Sequence, residues 1–293
     1  MKIPEKSTPE DVLWHRLESY RCGDLDWRSG RAFGYVYDAG QRAAQVAKQA
    51  YVEFLAENAL DPTTFPSVAR LENEVVAMVA CHLEAGPDVV GNFTSGGTES
   101  IMLAVKAARD CLRARRPEIR EPEMVLPVTA HAAFHKAGHY LDVKPIVVRV
   151  DETSFAADVA AVRQAITPNT IMLVGSAPSY AHGVVDPIAE LGALAREREL
   201  WLHVDACIGG FLLLYFRRLG ASVPDFDLRV PGVSSLSVDL HKYAYAAKGA
   251  SVILYASREL RRHQIFSCAR WTGYSVVNTT VQSTKSAGPI AGA

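Results

Sequence analysis

The stretch IMLVGSAPSYAHGVVDPIAELGALARERELWLHVD, residues 171–205, decides the fold. It opens on a short run that is apolar on both faces, passes through a Pro- and Gly-bearing turn, continues as an amphipathic segment and ends in a second apolar run. Short strands greasy on both sides, separated by helices, are the mark of a parallel sheet covered on both faces. The pattern extends outward, with further β-rich runs at 124–129, 146–150, 233–238 and 251–255 and helix-like stretches at 101–116, 132–141 and 156–166. The helix at 186–199 is expected to open with Asp186-Pro187 as cap and first turn. The fold class is therefore α/β, a mostly parallel sheet flanked by helices. Residues 1–60 read differently, as an N-terminal helical arm with helices near 9–19 and 41–58, followed by one large domain over 61–293.

Composition bounds the function. With 293 residues, 49% hydrophobic, and 31 Lys+Arg against 32 Asp+Glu, the chain has a sizeable core and no basic excess for gripping nucleic acid. No apolar run is long enough for a membrane span, and the start has charges and prolines where a secretory signal needs an apolar core. Five widely spaced cysteines without a C-x-x-C pair suggest reduced thiols in a cytoplasmic protein.

In open α/β sheets ligands bind where strands end and helices begin. Three such junctions carry chemistry. Gly91-Asn92-Phe93-Thr94-Ser95-Gly96-Gly97-Thr98-Glu99-Ser100 leads into a helix, and its glycines, hydroxyls and free amides form either an anion cradle or a turn capped by Thr98. Asp205 ends a strand in His203-Val204-Asp205-Ala206, where it would cap the next helix or pair with a cationic ring nitrogen. Lys242, in Asp239-Leu240-His241-Lys242-Tyr243, is either a solvated side chain or a lysine that burial strips of its proton, making it a Schiff-base nucleophile. Cradle, aspartate and lysine in that order are the parts of a pyridoxal phosphate site.

The strings TSGGTESIMLAVKAARD (94–110), TAHAAFHKA (129–137), VGSAPSYAHGVVDPI (174–188), HVDACIGGFLL (203–213) and DLHKYAYAAKGAS (239–251) resemble the sphingosine-1-phosphate lyase branch of the group II pyridoxal-dependent decarboxylases. The resemblance implies the large domain of a fold type I pyridoxal phosphate-dependent transferase. It implies that Lys242 bonds the cofactor, Asp205 meets the pyridine nitrogen, His131 stacks on the ring, and Gly97, Thr98 and His241 hold the phosphate. Tyr37 falls where the family has a tyrosine reaching the neighbouring subunit's site. Thr284, in Ser283-Thr284-Lys285-Ser286, falls where the lyases complete the partner's phosphate site with a Gly-Ser-Arg-type turn. Lys248 would meet an anionic substrate group or sit at the pocket rim. The implied activity is retro-aldol cleavage of a phosphorylated amino alcohol to an aldehyde and an amino phosphate, in a homodimer. The alternatives are amino-acid decarboxylation and a non-catalytic, truncated cofactor-binding fragment, since the family continues into a C-terminal small domain that this sequence is expected to lack. A zinc site on His131, His135 and His139, spaced i, i+4, i+8, is the rival reading, and it lacks an H-E-x-x-H glutamate. No metal is expected.

Overall fold

The structure, a computed structural model, describes residues 2–293. These form two compact units, divided between Asp38 and Ala39. The smaller holds helix α1 (Glu10–Tyr20), none of whose residues is buried, and a 3-10 turn at Trp27–Ser29 in which the Asp26 carboxylate accepts from Arg28 N–H. In the larger, α2 (Gln41–Glu53) precedes α3 (Pro66–His82). Strands and helices then alternate: β1 (Val90–Thr94), α4 (Gly97–Arg115), β2 (Glu123–Pro127), α5 (Ala133–Leu141), β3 (Lys144–Val148), α6 (Val159–Ala165), β4 (Thr170–Ser176), α7 (Ile188–Glu197), β5 (Trp201–Asp205), α8 (Gly209–Arg218) and β6 (Val233–Asp239). Strand β7 (Ser251–Tyr255), α9 (Arg258–Arg261), the hairpin β8 (Phe266–Cys268) and β9 (Val276–Asn278), and α10 (Ala287–Ala291) complete the chain.

The main sheet has the order β1-β7-β6-β5-β4-β2-β3. From β6 to β3 neighbours pair in parallel, whereas β7 is antiparallel to both β6 and β1. Strand β1 therefore points the same way as the parallel strands, and its carboxyl end lies at their edge of the sheet. Alternation along each strand divides the core between two faces. Met124, Leu126, Met172, Val174 and Ile253 pack with α4 and α5 on one side. Val125, Leu173, Val252 and Leu254 pack with α3, α6, α7 and α8 on the other. Both faces are covered, as the apolar runs require. Although the sequence pattern groups α2 with the arm, α2 packs on α10, with Tyr51 against Gly288.

Two expected helix starts are corrected. Asp186 does not cap α7: it is 1% exposed and its carboxylate instead accepts from Ser176 N–H (2.7 Å) and Ala157 N–H (2.8 Å). Long-range backbone donors outcompete the local cap. Helix α4 begins at Gly97, with Gly96 in the cap position, so Thr98 sits in the first turn and caps nothing through its side chain. Among the described residues, no helix is long and apolar enough to cross a membrane.

Candidate active site

The carboxyl ends of β1, β5 and β6 surround a cavity of about 350 Å³, lined by Ser95, Gly97, His131, Asp205, Cys207, Asp239, His241 and Lys242, among others. Sheet register explains the convergence. Asp239, the last residue of β6, is paired with Ser251 of β7, which is paired in turn with Thr94, the last of β1. Asp205 of β5 stands beside Ser237 of β6. Three separate stretches of sequence are thus brought to one edge of the sheet by strand pairing.

Lys242 Nζ lies 2.9 Å from Asp239 Oδ2. Burial works against its ammonium, but the acidic groups Cys207, Asp239 and Asp205 outweigh it, so the lysine holds its proton more tightly than in water. Burial, followed by the Asp205 and Asp239 charges, pushes the Cys207 thiol well above its ordinary range.

Asp239 is 3% exposed, and its Oδ1 is buried without a hydrogen-bond partner. His241 Nδ1 accepts from Ala250 N–H (3.3 Å), which leaves the ring proton on Nε2, 3.7 Å from Asp239 Oδ2. Burial lowers the pKa of His241 despite the nearby Asp239 charge. Asp205 Oδ1 accepts from Cys207 N–H (3.1 Å), so this carboxylate braces its own turn, and α8 begins only at Gly209. His131 lies before α5, its Nδ1 accepting from Ala133 N–H (3.1 Å), with its ring exposed at the cavity. His135 and His139 lie on α5 and do not line the cavity, so the three histidines are not one helical stripe.

The cradle depends on glycine. A Cβ at Gly97 would stand 2.8 Å from Asp239 Oδ2 and 2.9 Å from Cys207 Sγ, and Gly96 has φ of +155°. Glu99, not singled out from the sequence, ties the cradle together. Its Oε2 accepts from Ser95 N–H (2.6 Å), and its Oε1 accepts from the N–H groups of Val281 (2.7 Å) and Gln282 (3.4 Å). Only its spacing from the glycines hinted at this, and the partners at 281–282 are far away in sequence. Lys248 donates to the carbonyl of His241 (3.2 Å) and does not line the cavity. Thr284 is exposed and also outside the lining, and Tyr37 belongs to the N-terminal unit.

These residues fit pyridoxal phosphate. The α4 start offers backbone N–H groups and a helix dipole to a phosphate. Asp205 supplies a carboxylate, His131 an exposed ring, and Lys242 an amine within the same cavity. The orphaned Asp239 Oδ1 marks a polar demand that the protein alone leaves unmet.

The chain belongs to the pyridoxal-dependent decarboxylase family, whose conserved domain matches residues 23–276, and the cofactor of that family is pyridoxal 5'-phosphate. Within it, the chain is 45% identical over 300 residues to a sphingosine-1-phosphate lyase of Oryza sativa, a match covering 100% of this chain and 55% of the relative. The structure of Burkholderia pseudomallei sphingosine-1-phosphate lyase superposes with a TM-score of 0.94 at 38% identity, covering 100% of this chain and 69% of that one. A probable L-aspartate decarboxylase of Pyrococcus furiosus is 34% identical over 287 residues, 97% of this chain and 74% of the relative. The chain spans about half the length of the curated lyases it matches.

Proposed function

We propose that this chain is the cofactor-binding part of a pyridoxal phosphate-dependent carbon-carbon lyase that cleaves a phosphorylated amino alcohol into an aldehyde and an amino phosphate. The observation that carries the reading is the single cavity in which Lys242, Asp205, His131 and the α4 cradle meet. When bound, the cofactor supplies an electron sink for the pair left behind when the Cα–Cβ bond breaks. Lys242 would hold it covalently through Nζ, the amine that lines the cavity. Asp205 would pair with the pyridine nitrogen, and His131 would stack on the ring. Gly97 and Thr98 at the α4 start, with His241, hold the phosphate. Tyr37 and Thr284 are assigned to the neighbouring site of a cytoplasmic homodimer, and Lys248 to an anionic substrate group.

The Pyrococcus relative supports a second reading, loss of CO₂ from an amino acid on the same electron sink. Purified protein given pyridoxal phosphate is expected to develop a visible absorbance band that Lys242→Ala abolishes, and to release aldehyde from a phosphorylated sphingoid base. Release of CO₂ from amino acids without aldehyde would select the decarboxylase. A cofactor band without either product would leave a cofactor-binding chain without turnover, and no band at all would refute the site.

A further inference from the structure

We infer that Asp239 is the positioning residue for Lys242: it fixes the free ammonium in place and accepts the proton that must leave Nζ before the lysine can bond to a carbonyl carbon. The inference rests on the cofactor reading above.

Four observations carry it. Asp239 Oδ2 lies 2.9 Å from Nζ, while Oδ1, equally buried, has no hydrogen-bond partner and so keeps a lone pair available. The carboxylate is immobilised, because Asp239 is the last rung of β6 against β7 and is only 3% exposed. Gly97 lacks the Cβ that would collide with both carboxylate oxygens, so the phosphate cradle is also what makes room for this acid. The remaining groups facing Lys242 are poorer acceptors. Cys207 is a buried thiol that donates to Ser237 Oγ (3.4 Å), and Asp205 is turned to the Cys207 amide. His241 has Nδ1 engaged and its proton on Nε2, Lys248 is itself cationic, and His131 has Nδ1 engaged by Ala133.

The step balances without a redox partner. A C–N bond forms between Nζ and the aldehyde carbon, the C–O bonds break and the oxygen leaves as water. Both hydrogens of that water come from the ammonium, one of them relayed through Asp239, and the nitrogen keeps the third. Positive charge is conserved at nitrogen and Asp239 ends as it began.

The test uses the full chain. Cofactor-free protein is acetylated with acetic anhydride across pH 7–10, and Lys242 and the exposed Lys48 are quantified by peptide mass spectrometry. In wild type Lys242 is expected to acetylate at least about tenfold more slowly than Lys48 at pH 8, the equivalent of one pKa unit; an equal or faster rate overturns the inference without recourse to any variant. In Asp239→Asn the Lys242 rate at pH 8, relative to Lys48, is expected to rise about tenfold, the equivalent of one pKa unit; an unchanged ratio in a folded variant overturns it. Pyridoxal phosphate uptake, followed by absorbance, is expected to vary little between pH 6.5 and 8.5 in wild type, where the proton passes within the pair. In Asp239→Asn it is expected to climb about tenfold per unit, following the free amine. A wild-type rate with that same climb removes the relay. If wild type takes up no cofactor, the cofactor reading fails while the acetylation result still decides whether Asp239 holds the lysine.

Discussion

Replacing Lys285 with methionine tests how the turn around Thr284 is held. Lys285 Nζ is buried 2.7 Å from Glu72 Oε1 and 3.1 Å from the Phe93 carbonyl, with only 6% of the Lys285 side chain and 15% of the Glu72 side chain exposed. This lysine pins residues 283–287 to β1, and the same segment is stitched to 57–59 by Ala59 N–H to the Lys285 carbonyl and Ala287 N–H to the Glu57 carbonyl. Removing one partner of a buried pair costs about 3–5 kcal/mol, because the other charge is left behind. Glu72 keeps a bond from Phe93 N–H (3.2 Å), which places the expected loss for Lys285→Met at the lower end, about 3 kcal/mol. At roughly 2 °C per kcal/mol for a chain of this size, the melting temperature should fall by about 6 °C. Urea unfolding followed by circular dichroism at pH 7.5 reads the free energy, and the double variant Lys285→Met/Glu72→Met should recover most of it, since no orphaned charge remains. A loss below about 1 kcal/mol for the single variant, or a double variant no better than the single, would refute the claim that the orphaned carboxylate is the cause.

Gly97→Ala should cost about 1–3 kcal/mol by overpacking against Asp239 and Cys207 and should abolish the cofactor absorbance band; a wild-type band and melting temperature would show that the cradle has slack. Glu99→Gln weakens charge-assisted bonds worth about 1.5–3 kcal/mol each, so cofactor half-saturation by fluorescence titration should rise by about tenfold, and an unchanged value would remove Glu99 from the cradle. Buried His203, bonded to Ser235 and Ser237, has its pKa lowered by burial from 6.5 to about 3. Above pH 6.5 it is neutral in both states; as the pH falls from there towards about 3 only the unfolded chain takes up the proton, so stability drops by about 1.4 kcal/mol per unit. In a pH series of urea unfolding, His203→Asn should flatten that slope, and an equal slope would assign acid sensitivity to other groups.

Much of this was legible in the sequence because the parallel strands are short and apolar on both faces, a local signal that tertiary context does not reverse. Lys242, Asp205 and Gly97 were legible for a related reason, as each lies at or just past a strand end, whereas His131 entered only through the resemblance carried by residues 129–137. Strand β1 escaped notice. Its Gly91 is required by close approach to the Ile253 carbonyl, and buried Asn92 accepts from Arg261 and Gln264, partners that no local pattern predicts. Asp186 misled because Asp-Pro resembles a helix start, while its real donors lie in β4 and the loop before α6. Asp239 was in view three residues before the lysine, but its ion pair follows from where β6 stops.

The reversed strand β7 has a further consequence. Residues 240–250 leave the sheet after Asp239 and return at Ser251, and those two residues are partners on one rung. The lysine-bearing segment is therefore an excursion between adjacent points, and the ladder does not depend on how long it is. Within it the Tyr245 amide bonds the Lys242 carbonyl and the Ala246 amide bonds the Leu240 carbonyl, so the excursion folds back on itself and holds Lys242 beside the rung it left.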